Sequence, residues 1–267
     1  MSETWDKDSS KEPLSEVDYE KIRYFMRESG KRLLARTGNI ADIGVMKANL
    51  TEEDLAIERG FKDILATFKG DHTLYAEEEH DEFKSAENVW IADPISGTEN
   101  FIRGTPHYAI VIAHMVKEQP VFAAVYDPSV DECYTAYTGK GAFLNGIQIA
   151  PSSETSRVIF RPSSKWGDKD AQTKIQAGLE SYAVESNRYS MAVNYCWVAC
   201  GRFDGMISLT KDSFPEFAGG FILREAGGRF TNLEGKSDIA PSDRIFISGN
   251  TTMYDKLLPI VRDAFKS

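Results

Sequence analysis

Between Thr73 and Tyr137 the chain carries five short apolar runs of strand length: Thr73–Ala76, Val89–Ala92, Ala109–Val116, Val121–Tyr126 and Cys133–Tyr137. Polar breaks separate them, and Lys117–Pro120 suits a hairpin connection. Segments of helical period lie on either side. Val17 to Leu34 spaces Ile22, Phe25, Met26 and Leu33 along one face. A second helix opens at Thr51, where a hydroxyl cap precedes Glu52, Glu53 and Asp54, and it is expected to run to Gly70. Further on, strands are expected at Val158–Arg161, Gly205–Leu209 and Ile245–Ser248. Helices are expected at Ala171–Leu179, Met191–Cys200, Glu216–Ala226 and Thr252–Ala264. Alternation of this kind in both halves predicts an α/β sandwich. The polar break Pro151–Thr155 is the expected boundary between an N-terminal half, 14–150, and a C-terminal half, 151–267, with residues 1–13 as a loose tail.

Composition narrows the function. With 31 basic against 41 acidic residues the chain carries a net charge of −10, and no basic stripe suits a nucleic-acid backbone. No apolar run approaches the roughly 20 residues of a membrane span. The polar, acidic first residues do not resemble a targeting segment. Cys133, Cys196 and Cys200 make a poor disulfide framework and read as reduced, buried thiols, so the cytoplasm is the expected location.

The densest chemistry lies in Trp90-Ile91-Ala92-Asp93-Pro94-Ile95-Ser96-Gly97-Thr98-Glu99-Asn100-Phe101. An apolar strand here runs into an acid, a proline and a Gly-Thr turn. A carboxylate at a strand end suits a hard cation, and glycine lets backbone N–H groups come close to an anion. By itself, Asp-Pro is also ordinary turn punctuation.

The stretch resembles the W-I-x-D-P-[IL]-D-G-T-x-N-F signature of the inositol-monophosphatase-like family. Further matches follow in the family's order: Ala76-Glu77-Glu78, Gly104-Thr105-Pro106-His107-Tyr108-Ala109, and the hairpin motif Gly139-Lys140-Gly141-Ala142-Phe143-Leu144-Asn145-Gly146. In the second half come Val198-Ala199-Cys200-Gly201-Arg202-Phe203-Asp204-Gly205, Glu225-Ala226-Gly227-Gly228 and Ser248-Gly249-Asn250. The resemblance implies a layered αβαβα sandwich, often a homodimer, that hydrolyses small phosphate monoesters of polyols, sugars or nucleotides with Mg²⁺. In such chemistry one ion activates water and another stabilises the leaving oxygen.

Carried over residue by residue, the resemblance makes Glu77, Asp93 and the carbonyl of Ile95 ligands of a first metal. It makes Thr98 the hydroxyl that orients water, Asp54 the acid supporting it, and Gly97 and Thr98 the phosphate-binding amides. The second metal fares differently. One of its aspartates falls on Ser96 and the other, in the family's W-D pair, on Phe214-Pro215. A glutamate that contacts substrate hydroxyls falls on Ser208. Glu77 and Asp93 offset about one Mg²⁺, an ion that binds weakly without carboxylates or phosphate. Asp212 or Glu216 are possible substitutes, although Pro215-Glu216 also reads as a normal helix start. His72, His80 and His114 read as surface or core residues, Phe217, Phe221 and Ile222 as core, and Arg202 and Lys211 as solvent-facing.

Three functions stay open at this point: a phosphatase on one firmly bound Mg²⁺, a pseudophosphatase binding a phosphorylated ligand or protein partner, and an enzyme of altered, non-hydrolytic chemistry in the same pocket. Ser96, Gly97, Thr98 and Ser208 are the expected substrate contacts.

Overall fold

The computed structural model describes residues 14–45, 48–77, 86–163, 168–210, 214–240 and 242–266, without the side chains of residues 214 and 215. The expected tail, Glu78, His80, Lys211, Asp212 and the Pro215 ring lie outside the described residues.

Five layers stack α, β, α, β, α. The outermost holds α1 (Glu16–Arg36) and α2 (Glu52–Leu65). Ser15 caps α1 through the amide of Asp18, whose carboxylate returns the bond. Ile22, Met26 and Leu33 of α1, with Ile57, Phe61 and Leu65 of α2, form a buried stripe. The second helix stops at Leu65 rather than Gly70. There the Thr67 hydroxyl and amide both bond the Ile64 carbonyl, at 2.7 and 2.9 Å, which tightens the last turn and ends the helix.

Beneath lies a seven-stranded sheet in chain order: β1 (His72–Ala76), β2 (Asn88–Ser96), β3 (Ala109–Val116), β4 (Gln119–Asp127), β5 (Glu132–Tyr137), β6 (Gly141–Leu144) and β7 (Ile147–Ile149). Only β1 and β2 run parallel; the rest form an antiparallel meander. In β3 the period of two divides Ile110 and Ile112 toward the outer helices from Ala109, Val111 and Ala113 toward the inner layer. The strand is covered on both faces, which is why it reads as a continuous apolar run rather than an alternating one. The hairpin motif forms β6 and β7, joined by Asn145 and Gly146, both at positive φ (49° and 81°), as a tight two-residue turn requires.

The central layer is α5 (Met191–Ala199) and α6 (Phe214–Glu225), packed between the two sheets. Helix α5 is apolar except for Asn194, which bonds Asn187, and it is almost wholly buried, as suits a helix between sheets. Phe221 and Ile222 are buried in this core, and the partly buried Phe217 packs on Tyr75, Val89 and Ile91. The second sheet has the order β11 (Arg229–Asn232), β12 (Ile245–Gly249), β10 (Gly205–Leu209), β8 (Arg157–Arg161) and β9 (Ala183–Glu185). Its far face is closed by α4 (Lys169–Gly178) and α7 (Thr251–Ala264). The short α3 (Thr98–Arg103) follows β2.

The three cysteines are free thiols, with Cys133 and Cys196 buried and Cys200 partly so. His114 is a core residue, bonded to the Tyr19 hydroxyl at 3.0 Å and stacked on Trp90; burial drives its imidazole down to about 3, aided by His72. His72 bonds Trp90. Arg202 is exposed and pairs with Glu132.

Candidate active site

Parallel pairing of β1 with β2 sets Ala76 opposite Ala92, so the next residues, Glu77 and Asp93, stand side by side where β1 ends. The Glu77 amide continues the ladder to the Ala92 carbonyl at 3.2 Å. Asp93 is 4% exposed, and its Oδ1 has no hydrogen-bond partner among the described residues. Burial pushes its carboxyl well above the usual range, and the charges of Glu77 and Asp54 add to that. The side chains of Glu77 and Asp93 hydrogen-bond each other, an arrangement of two acids that requires a shared proton or a cation.

Asp93-Pro94 is no turn. Pro94 lies inside β2, an interior strand, where its missing N–H would break a ladder. The sheet accommodates it with a register shift: Asp93 pairs Val111, but Ser96 pairs Ala109. Three residues thus oppose two. The extra residue turns Ser96 onto the face of Asp93, and its hydroxyl bonds that carboxyl and opposes the upward shift.

Gly97 then adopts φ 87°, open to glycine at no steric cost. The Thr98 hydroxyl donates to the Ile95 carbonyl at 2.7 Å, using one of that oxygen's two lone pairs. Asp54 enters from α2, fully buried; its Oδ2 accepts from the Thr51 amide at 2.8 Å and the Thr51 hydroxyl at 2.6 Å. Asp54, Glu77, Asp93, Ile95, Ser96, Gly97 and Thr98 thus meet at one corner of the first sheet.

Ser208 is elsewhere. It sits on β10 in the second sheet, fully buried, its hydroxyl 2.7 Å from that of Tyr195. The hydroxyl is therefore not presented as a substrate contact. Arg161, its neighbour in parallel register on β8, carries the charge there instead. The Arg161 guanidinium bonds the Asn187 carbonyl closely and Asn187 Oδ1 at 3.1 Å. Burial lowers it to about 10; Arg188 adds to the fall, and Glu216 and Tyr195 oppose it.

Pro215-Glu216 does open a helix, with Glu216 the acid of the first turn of α6. An acid in a first turn ordinarily meets water, but Glu216 is 0% exposed and acts electrostatically on Tyr195 and Arg161. Helix α6 is sandwiched between sheets, and Glu216 lies on a side of it that they cover. Arg161, at the end of the apolar run Val158–Phe160, and Arg188 were missed by sequence reasoning. A charge at the end of a buried strand was the available signal for Arg161.

His107 adopts φ 65°. Its Nδ1 lies 2.8 Å from Asp127, and its ring packs on Tyr189 and Trp197. Its carbonyl accepts the Ser190 amide at 2.8 Å, tying the two halves together beside Gly97.

A model of the inositol monophosphatase family matches residues 13–265. The chain belongs to the inositol monophosphatase family. It is 33% identical over 219 residues to a fructose-1,6-bisphosphatase/inositol-1-monophosphatase of Aquifex aeolicus, covering 78% of this chain and 80% of that protein. It is 30% identical over 221 residues to the Nus factor SuhB of Escherichia coli, covering 80% and 82%. The solved structure of a Thermotoga maritima IMPase superposes with a TM-score of 0.81 at 25% identity, over 93% of this chain and 98% of that one. The layered architecture is thus that of the family.

The oxygen donors of Glu77, Asp93 and Ile95 suit one hard cation completed by water, and the like-charged Asp93–Glu77 contact is what such an ion would relieve. They do not close a cage: among the described residues no three His, Cys, Asp or Glu side chains form a metal cluster. For a second ion, Ser96 brings no charge and Pro215 no donor. Among the described residues this donor set would suit one ion.

Proposed function

We propose that the chain is a phosphomonoesterase for a small phosphorylated polyol, sugar or nucleotide, working with one carboxylate-held Mg²⁺. The observation that carries this reading is the pair of half-buried Glu77 and buried Asp93 beside the Gly97-Thr98 turn, with Asp54 adding negative charge. Bound there by Glu77, Asp93 and the Ile95 carbonyl, Mg²⁺ would acidify a water and draw in phosphate charge. The chain's own part is positional. Gly97 and the first turn of α3 offer backbone N–H groups that the helix leaves unpaired. Thr98, its proton directed at the Ile95 carbonyl, keeps oxygen lone pairs to accept a hydrogen bond from a water at the phosphorus. Asp54, anchored by Thr51, holds the acidic side of that corner in place. The fold is consistent with a homodimer in the cytoplasm; among the described residues no helix is long and apolar enough to cross a membrane.

A second reading, a ligand- or partner-binding pseudophosphatase, draws on Ser96 and Pro215 departing together and on the Nus-factor name of one relative. Hydrolysis of a panel of small phosphate esters with Mg²⁺ or Mn²⁺, against Glu77→Gln as blank, separates the two. Turnover absent from the blank supports the phosphatase. Equal rates in both proteins favour the pseudophosphatase.

A further inference from the structure

One side chain gathers the loop between β9 and α5. The half-buried Asn187 donates through Nδ2 to the Glu185 carboxylate at 3.2 Å and to Asn194 Oδ1 at 3.2 Å. Its Oδ1 accepts from Asn194 Nδ2 at 3.0 Å, from Arg161 Nη1 at 3.1 Å and from the Tyr189 amide at 3.2 Å. A carboxylate at one end of the amide and two N–H donors at the other settle which end is oxygen. Asn187 thereby joins β8, β9 and the fully buried Asn194 of α5.

The same loop is tied to the first half of the chain. The Arg188 carbonyl accepts from Asn100 Nδ2 at 2.9 Å, and the Ser190 amide donates to the His107 carbonyl at 2.8 Å. Asn100 lies in α3, two residues after Thr98. That helix has six residues, below the roughly 12–15 at which a helix begins to hold by itself in water, so outside contacts set its place. The Gly38 amide holds it through the Phe101 carbonyl at 2.8 Å, and the loop holds it through Asn100. The loop is also close to the turn: the Ser190 amide lies 3.4 Å from where a Cβ on Gly97 would stand.

We propose that Asn187 is a positioning residue for the phosphate turn: it fixes the loop whose Arg188 carbonyl anchors Asn100, and so holds Gly97 and Thr98 in place beside Asp93. This deepens the proposed function and rests on its phosphate turn. Asn187 acts through the backbone of its loop, not by touching the ligand.

The test is a double-mutant cycle on the full chain, read by calorimetric titration with inorganic phosphate in the presence of Mg²⁺. Each variant is titrated below its own melting midpoint, so that folded proteins are compared. Asn187→Ala should weaken phosphate binding about tenfold, the scale of one hydrogen bond. Asn100→Ala cuts the brace at its other end and should do the same. The double variant should bind within about twofold of the weaker single variant, because both changes remove one brace. If Asn187→Ala does not fold, Asn187→Asp takes its place in the cycle; it keeps the acceptor for Arg161 and Tyr189 and loses the donor to Glu185. A lowered melting midpoint with unchanged phosphate affinity makes Asn187 a purely structural residue and overturns the proposal. Losses that multiply to about a hundredfold in the double variant overturn it too, since the two residues then act separately. In both cases the phosphate turn stands. Absence of phosphate binding by the unaltered chain overturns the turn and the positioning role together.

Discussion

The two walls of the candidate pocket solve the problem of holding charge in opposite ways. On the first sheet, Glu77, Asp93 and Asp54 crowd negative charge at a buried strand end, with Ser96 contributing only a hydroxyl. On the second, Arg161 bonds Asn187, whose amide also bonds the Glu185 carboxylate, and Glu216 lies buried between the layers as a further negative charge. The first wall is incomplete without an outside cation. The second brings cation and carboxylates together within the chain itself.

The sharpest way to break this contrast is at Asp93. Asp93→Asn should lower kcat by about 10³-fold, since the metal-held charge stabilisation is worth several kcal/mol. The same change should leave the metal-free protein as stable or about 1 kcal/mol more so, because it removes a desolvated charge beside two like charges. Loss of activity together with a large loss of stability in urea unfolding would make Asp93 a structural residue instead. Restoring the missing ligands with Ser96→Asp and Pro215→Asp together should raise turnover about tenfold if the second metal is what the chain lacks. A fall in turnover, with Mg²⁺ binding confirmed by calorimetry, would mean that the second wall is built for a different charge pattern.

On the second wall, Glu216→Gln should cost about 2 kcal/mol by denaturant titration, because it leaves the half-buried Arg161 without its nearby negative charge. Unchanged stability would show that Glu216 is not that counter-charge. The smallest effect concerns pH. Asp93 binds its proton more tightly in the folded chain than at the ordinary value of 3.8. Its contribution to metal-free stability is therefore full below that value and is lost as pH rises through the raised one. Mg²⁺ should offset the loss, so the Tm increment from Mg²⁺ should be larger, by about 2–4 °C, at about pH 8 than at about pH 5. An increment independent of pH would place the ion elsewhere.

Most of the first wall was legible from residue order. Glu77, Asp93, Ile95, Gly97 and Thr98 lie within about twenty residues along the chain, on two adjacent strands and the turn that follows. Their proximity follows from strand pairing. Asp54 was readable because a cap residue announces itself locally, through Thr51. The bulge was less so: Asp-Pro suggests a turn, and only the neighbouring strand's register shows Pro94 accommodated inside β2. The second wall was misread for a different reason. Glu216 looks like any first-turn acid until α6 is seen between two sheets, and Arg161 and Arg188 belong to a strand and a loop with no local signature to join them.

The sequence by itself determined the alternation of helices and strands, the family, and which carboxylates are absent, because these depend on side-chain period and on residue identity at fixed spacing. The tertiary structure alone decided that Glu216 is buried, where Ser208 spends its hydroxyl, and that Arg161 bonds Asn187 across the second sheet. Those are outcomes of layer packing: a side chain's partners across a sheet or between helices are set by contacts far apart in the chain, and no local pattern encodes them.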